Sequence, residues 1–361
     1  MSFDLPSPFP PLYAAWMNEL FAGPIPDEPR ATCLNCTMCG SADEYLANPA
    51  RFFHPSTKCC TYMPELPNYL VGRILADDDP AAAKESASIE ARINAGIAVA
   101  PFGLLRPPRF AKAYDDLSDD AFGREPSLRC PHYLDQEGGL CGIWKNRNSV
   151  CSTWFCKLER GAVALNYWNA ARDLLSAVEI DLARWCMLEL NLDHAAPGPL
   201  DADMLNDLAD PNTRRRIWGD WFGREREFYL ECARLVSPLS WQDALAICGS
   251  ETQSLAQLAQ EAYRRMTSDK LPARLKQGAF TVAKCGPDSW GVKSKTYDRE
   301  GLYLSQAALD VLPYFDGRPA TEILDQVERE RRLRLSSELL RRLTDFGILV
   351  AVDEESARAA I

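Results

Sequence analysis

The chemistry-bearing residues of this chain are its cysteines. Cys33, Cys36 and Cys39 fall in the run Cys33-Leu-Asn-Cys36-Thr-Met-Cys39-Gly40, three thiols at steps of three. A tight loop with that spacing turns three thiolates to one face of a polynuclear cluster. A single tetrahedral zinc usually draws two cysteines from one knuckle and two from a distant pair. Further along stands Lys58-Cys59-Cys60-Thr61. Neighbouring side chains of an extended strand point to opposite sides, so Cys59 and Cys60 either serve different sites or divide into one ligand and one packing residue. Then follow Cys130-Pro131-His132, Cys141 in Gly138-Gly-Leu-Cys141-Gly-Ile-Trp144, Cys151 and Cys156. A cysteine followed by proline is the form in which ferredoxins supply a remote ligand.

Nine of the 13 cysteines therefore lie between Cys33 and Cys156. They suffice for two four-ligand centres with one thiol over, or for one centre with several structural thiols. The metal ligand set expected is Cys33, Cys36, Cys39, Cys59, Cys60, Cys130, Cys141, Cys151 and Cys156. The cofactor expected is an iron–sulfur cluster, of the 4Fe-4S kind, one or two; zinc is the alternative. His54 and His132 stand near these cysteines and can either ligate metal or hydrogen-bond a sulfur, whereas His194 lies away from them. Cys186, Cys232 and Cys248 sit in apolar helical contexts and read as small buried hydrophobes, and Cys285 precedes Gly286-Pro287 in a turn. Beyond the cysteines there is no phosphate-binding glycine loop, no dinucleotide fingerprint, no serine nucleophile elbow and no H-E-x-x-H. The radical-enzyme spacing C-x3-C-x2-C is also absent.

The elements that must carry these residues change character along the chain. Residues 1–30 are proline-rich with scattered aromatics and read as an arm on the first domain. Residues 31–160 are rich in cysteine, proline and glycine, with one helix expected near Ala81–Ala98 after Asp77-Asp-Asp-Pro80. From Ala162, Leu165, Trp168, Ala171, Leu175, Val178, Leu182 and Trp185 recur at steps of three and four, one face of a long amphipathic helix that the loop Asp193–Pro199 ends. Helical stretches are expected over Pro211–Leu235 and Ser240–Thr267. Then Phe280–Ala283 and Trp290–Lys293 flank a turn and predict a hairpin. Elements over Leu302–Tyr314, Ala320–Leu333 and Ser336–Phe346 follow, and Ile348–Val352 closes with strand character.

The expected fold class is α+β, mostly α: a loop-rich cysteine-ligated metal domain over 1–160, a helical region over 161–275 and a small winged-helix-like module over 276–361. The net charge of −11 is a poor match for a generic nucleic-acid binder. Arg329, Arg331, Arg332, Arg334, Arg341 and Arg342 cluster locally, but Glu328, Glu330 and Glu338 dilute them, as on a solvated helix face. No apolar run approaches the 18 or so residues of a membrane span, and the N-terminus has no signal-peptide pattern. A cytoplasmic, reducing compartment without structural disulfides is expected.

The order of a C-x2-C-x2-C run, a double cysteine and then C…C-G-I-W…C-x4-C resembles the YkgJ-like cysteine-cluster family of zinc- or iron-chelating proteins. The cysteine cluster of flagellin lysine N-methylases is similar. Family members have the double cysteine directly completing the first run. Here Gly40 follows Cys39, and Cys59-Cys60 comes twenty residues later. At the other end, Tyr303-Leu-Ser…Leu312-Pro-Tyr-Phe-Asp-Gly317…Gly347-Ile-Leu resembles PqqD-like winged-helix domains, which often bind leader peptides. The resemblances imply a metal-binding protein, a methyltransferase or an oxidoreductase as the enzyme classes to expect, with a peptide or protein substrate. The function expected is therefore an iron–sulfur protein in redox or protein-modifying chemistry, and the alternative is a zinc-stabilised binding or regulatory protein.

Overall fold

The computed structural model describes residues 8–34, 36–48, 51–80, 82–117, 121–135, 139–192 and 210–352. Among these, fourteen α-helices and four small antiparallel sheets make a mostly α, α+β protein. No helix among the described residues is long and apolar enough to cross a membrane. The chain divides into two compact units, Met1–Cys156 with Asn169–Gln260, and Lys157–Trp168 with Glu261–Ile361. The expected helical segment 161–275 is thus not a unit by itself, because residues 169–260 belong with the cysteine-bearing residues.

In the first unit the proline-rich start contains a helix, α1 (Pro11–Phe21), with Pro11 in its first turn. The fixed φ of proline suits that position, where its missing N–H has no helical partner to lose. Leu12, Tyr13, Trp16, Met17, Leu20 and Phe21 form its buried face, and Trp16 Nε1 donates to Leu239 O at 2.8 Å. After α2 (Ala42–Ala47), helix α3 (Asn68–Leu75) is buried at every position except Arg73. Asn68 holds it from both sides: Nδ2 donates to Pro101 O at 3.0 Å and to Ala183 O at 2.9 Å. Strands β1 (Leu66–Pro67), β2 (Val99–Ala100) and β3 (Gly103–Leu104) pair in the order β1-β3-β2 beside it.

Helix α4 (Ala83–Ala95) falls within the expected Ala81–Ala98, and α5 (Pro108–Asp115) follows. The long helix α7 (Gly161–Glu189) comes after a short α6 (Ser149–Thr153) and contributes residues to both units. In the first unit, its Ala171, Leu174, Leu175, Val178, Leu182, Ala183 and Cys186 are fully buried. The loop expected over Asp193–Pro199 lies outside the described residues.

The stretch expected as one helix over Pro211–Leu235 is two: α8 (Pro211–Trp218) and α9 (Glu225–Val236). Gly219 separates them at φ +50, a conformation that glycine reaches without steric cost. Likewise α10 (Trp241–Ile247) stops at extended Cys248 before α11 (Ser250–Thr267) begins. Where α9 crosses α3, a Cβ added at Gly72 would stand 1.8 Å from Tyr229 O, so the helices touch backbone to backbone.

In the second unit, β7 (Phe280–Gly286) and β8 (Ser289–Ser294) form the expected hairpin, extended by β9 (Leu302–Leu304). A separate sheet sets β6 (Arg274–Gln277) between β10 (Asp316–Pro319) and β11 (Leu349–Ala351). Helices α12 (Gln306–Asp310), α13 (Ala320–Arg331) and α14 (Ser337–Asp345) accompany these strands, with Ala308, Ile323, Val327, Leu340 and Leu343 buried. Ser305 and Ser336 cap α12 and α14 by accepting from Ala308 N and Leu339 N. Arg160 clamps Asp345 with two 2.8 Å bonds and also donates to Ser268 O at 3.1 Å.

Candidate metal centre

Four stretches of the first unit deliver the nine thiols. Cys33, Cys36 and Cys39 lie on the loop that leads into α2. Cys39 N donates to Cys36 O at 3.0 Å, and Phe53 N holds the loop through Met38 O at 2.7 Å. Ser41 then starts α2 with a capping box, its hydroxyl accepting from Glu44 N. Cys59 and Cys60 sit in a chain of turns rather than in an extended strand. Cys60 O accepts from Cys130 N at 2.8 Å, which fixes the second stretch to the third. Cys141 lies on a hairpin of β4 (Tyr133–Leu134) and β5 (Leu140–Cys141), with Tyr133 opposite Cys141. Cys151 is on α6, where Asn148 Oδ1 accepts from its backbone N–H at 3.0 Å, and Cys156 follows that helix.

These stretches converge. Cys33, Cys36, Cys59, Cys60, Cys130, Cys141, Cys151 and Cys156 line one cavity of about 560 Å³. Cys39 lines an adjoining cavity of about 520 Å³ that shares Cys36 and Lys58 with the first. The remaining wall includes seven aromatics, Phe53, Tyr62, Tyr114, Phe122, Trp144, Trp154 and Phe155. Phe53, Phe122 and Trp154 meet edge to face, with centroids 5.8 and 5.2 Å apart. None of the 13 cysteines is in a disulfide. Among the described residues, no three His, Cys, Asp or Glu side chains are drawn around one point closely enough to hold a single ion.

Burial and crowding control the thiols. Burial pushes Cys141 and Cys156 up to about 11, and it also raises Cys33, Cys130 and Cys151. A hydrogen bond with Cys60, then burial, raises Cys59. Cys36 is the exception: a hydrogen bond from Cys39 pulls it down to about 6, while the same bond raises Cys39. Mutual repulsion couples the thiols of the cavity to one another. Cys141 acts on Cys60, Cys130 and Cys151, Cys59 acts on Cys33, Cys39, Cys151 and Cys156, and Cys33 acts on Cys60 and Cys141.

Two cations sit among them. Lys58 is 7% exposed and adopts φ +50; its Nζ donates to Cys33 O and, at 2.9 Å, to Gly139 O. Arg147 stacks 3.4 Å over Trp144 and donates to Cys151 O at 2.9 Å and Pro8 O at 2.7 Å. Lys58 favours the thiolates of Cys33, Cys36 and Cys39, and Arg147 those of Cys33, Cys141 and Cys151. His132 also lines the cavity, and its Nδ1 lies 2.9 Å from Glu85 Oε2. His54 lies outside the lining and shares its Nδ1 with Ser56 Oγ at 2.7 Å. His194 lies outside the described residues.

Behind the thiols, Glu179 of α7 fixes the start of α6. It accepts from Ser149 N at 2.5 Å, Ser149 Oγ at 2.8 Å and Tyr13 OH at 2.5 Å. Burial pushes its carboxyl up to about 7 despite those three donors. The remaining cysteines are elsewhere: Cys186, Cys232 and Cys248 are buried, and Cys285 is exposed on β7. In the second unit, Arg341 is engaged with Ser268 O and Asp269, and Arg331 Nε donates to Tyr314 OH at 3.1 Å.

Lys58, Arg147, Glu85 and Glu179 are not evident as site residues from spacing. Only Lys58 carries a local signal, its place beside Cys59. No family model, no curated protein and no solved structure matches this chain.

Proposed function

We propose that the first unit is an iron–sulfur protein of redox or protein-modifying function, its cavity thiols holding one or two 4Fe-4S clusters. The observation that carries this reading is the convergence of eight thiols from four separate stretches on one cavity. Its volume far exceeds what one ion fills, and its donors are the soft sulfurs that iron–sulfur clusters take.

The residues fit such a group in charge as well. Thiols bind metal as thiolates, and a buried crowd of thiolates needs positive charge. Lys58 and Arg147 supply fixed positive charge from two sides. The aromatic wall limits water, and burial and hydrogen bonding to sulfur tune a cluster's potential. When bound, a cluster supplies one-electron transfer or activation of a substrate at iron.

The resemblance to YkgJ-like and flagellin-methylase cysteine clusters points the same way. For the second unit we infer a winged-helix-like arrangement, three helices with the β7–β8 hairpin as wing. β7 is an edge strand whose residues Thr281–Cys285 are exposed, and an extended peptide can add to such an edge. A peptide or protein substrate in a thiol-reducing, cytoplasmic compartment is the corresponding partner.

Iron, sulfide and zinc content after anaerobic purification, with the visible spectrum, tests the reading. Matched iron and sulfide with a brown chromophore are expected, lost or sharply reduced in Cys36→Ala and Cys141→Ala and retained in Cys232→Ala. Colourless protein carrying zinc alone would overturn it in favour of a zinc-stabilised binding protein.

A further inference from the structure

We propose that His132 is a nitrogen ligand of the metal centre, bound through Nε2 and held in that tautomer by Glu85. The inference rests on the reading of the thiol cavity as a metal site.

His132 is 3% exposed, and Glu85, behind it, is 2% exposed. Glu85 engages Nδ1, while Nε2 is buried with no hydrogen-bond partner. A buried polar atom left in that state is costly, so an imidazole so placed calls for a partner at Nε2. The ring lines the thiol cavity, two residues from Cys130. Its own carbonyl accepts from Gly142 N at 2.8 Å, next to Cys141. His132 is thus fastened at both ends to ligand-bearing backbone.

The carboxylate is the second observation. Metal-bound histidines characteristically give their other ring N–H to a carboxylate or carbonyl, which orients the ring and raises its basicity. Glu85 reaches that place only because residue 142 has no side chain. A Cβ there would lie 2.3 Å from Glu85 Cγ and 2.4 Å from Cδ and Oε1. The backbone that carries Cys141 therefore also makes room for the group that orients His132.

An imidazole replacing a thiolate on iron removes one negative charge from the centre and raises its reduction potential. A histidine ligand beside Cys130 and Cys141 would take the place of one thiol. Glu85 acts as a positioning residue.

Pulsed EPR of the dithionite-reduced holoprotein reads this directly. A strongly coupled nitrogen is expected that changes on labelling histidine with ¹⁵N. It should vanish in His132→Cys, with iron retained and the potential moved to more negative values. Glu85→Gln should keep the nitrogen coupling, alter its size and raise the potential by removing a nearby anion. Wild-type protein that contains iron and sulfide but no histidine nitrogen coupling would overturn the inference, whether or not the variants fold. Wild-type protein without iron and sulfide would instead overturn the reading of the cavity, and this inference with it.

Discussion

Lys58 is where one side chain joins three of the cysteine stretches: it stands beside Cys59 and donates to Cys33 O and to Gly139 O on the way to Cys141. Replacing it with methionine keeps the stem and removes the donor. One buried and one part-buried carbonyl would lose their partner, at a cost of about 1–3 kcal/mol in stability. The positive charge facing Cys33, Cys36 and Cys39 would also go. We expect a lower denaturation midpoint in urea and less iron per chain in Lys58→Met, and unchanged iron would show that the charge is dispensable. The cysteines themselves were legible because close repetition of a rare, reactive residue is a local signal. Glu85, Arg147 and Glu179 were not, because nothing in their neighbours' spacing announces a contact made across the fold. Cys59-Cys60 shows the limit of local geometry. Opposed side chains follow from an extended backbone, but the segment turns, and both thiols line the same cavity.

Helices were read from periodicity with most of their extent intact. Ala83–Ala95 lies inside the expected Ala81–Ala98, and Ala320–Arg331 and Ser337–Asp345 are within two residues of expectation at each end. The failures fall where periodicity continues across a break. Gly219 at φ +50 splits Pro211–Leu235, and Cys248 interrupts Ser240–Thr267, yet the apolar spacing carries on through both. Neither did periodicity tell that α3 is buried on nearly all sides, since its eight residues are too few to establish a face. The α3–α9 crossing can be tested directly. Gly72→Ala would drive a methyl into Tyr229 O and Ala233 Cβ, so the helices must separate. Overpacking of this kind costs on the order of 3 kcal/mol, and a fall in thermal midpoint with loss of the Tyr229 OH bond to Ala100 O is the expected result. An unchanged midpoint would mean that the helices do not touch there.

For the molecule as a whole, Glu179 makes stability depend on pH. Its carboxyl titrates near 7 when folded against 4.5 for an ordinary glutamate. The native state therefore binds a proton that the unfolded state has released anywhere between those values. The contribution is fully present below pH 4.5, declines as pH rises towards 7, and is flat above. The decline should amount to on the order of 3 kcal/mol. Urea unfolding between pH 5 and 8 should show it, and Glu179→Gln should flatten the profile; an equal slope in the variant would assign the dependence elsewhere. The division of the chain was the least legible feature at this scale. A change of composition near residue 160 marks the end of the cysteine-rich segment, but the contacts that complete its unit come from residues 169–260. That has a consequence for biosynthesis. Chains emerge from the ribosome N-terminus first. All nine thiols are thus synthesised before Glu179, Ala183 and Tyr229, the residues that fix α6 and α3 around them. If the thiols hold the proposed cluster, its loading would be a late event, and a fragment ending at residue 160 would lack residues 169–260, which complete the unit that carries its cysteines.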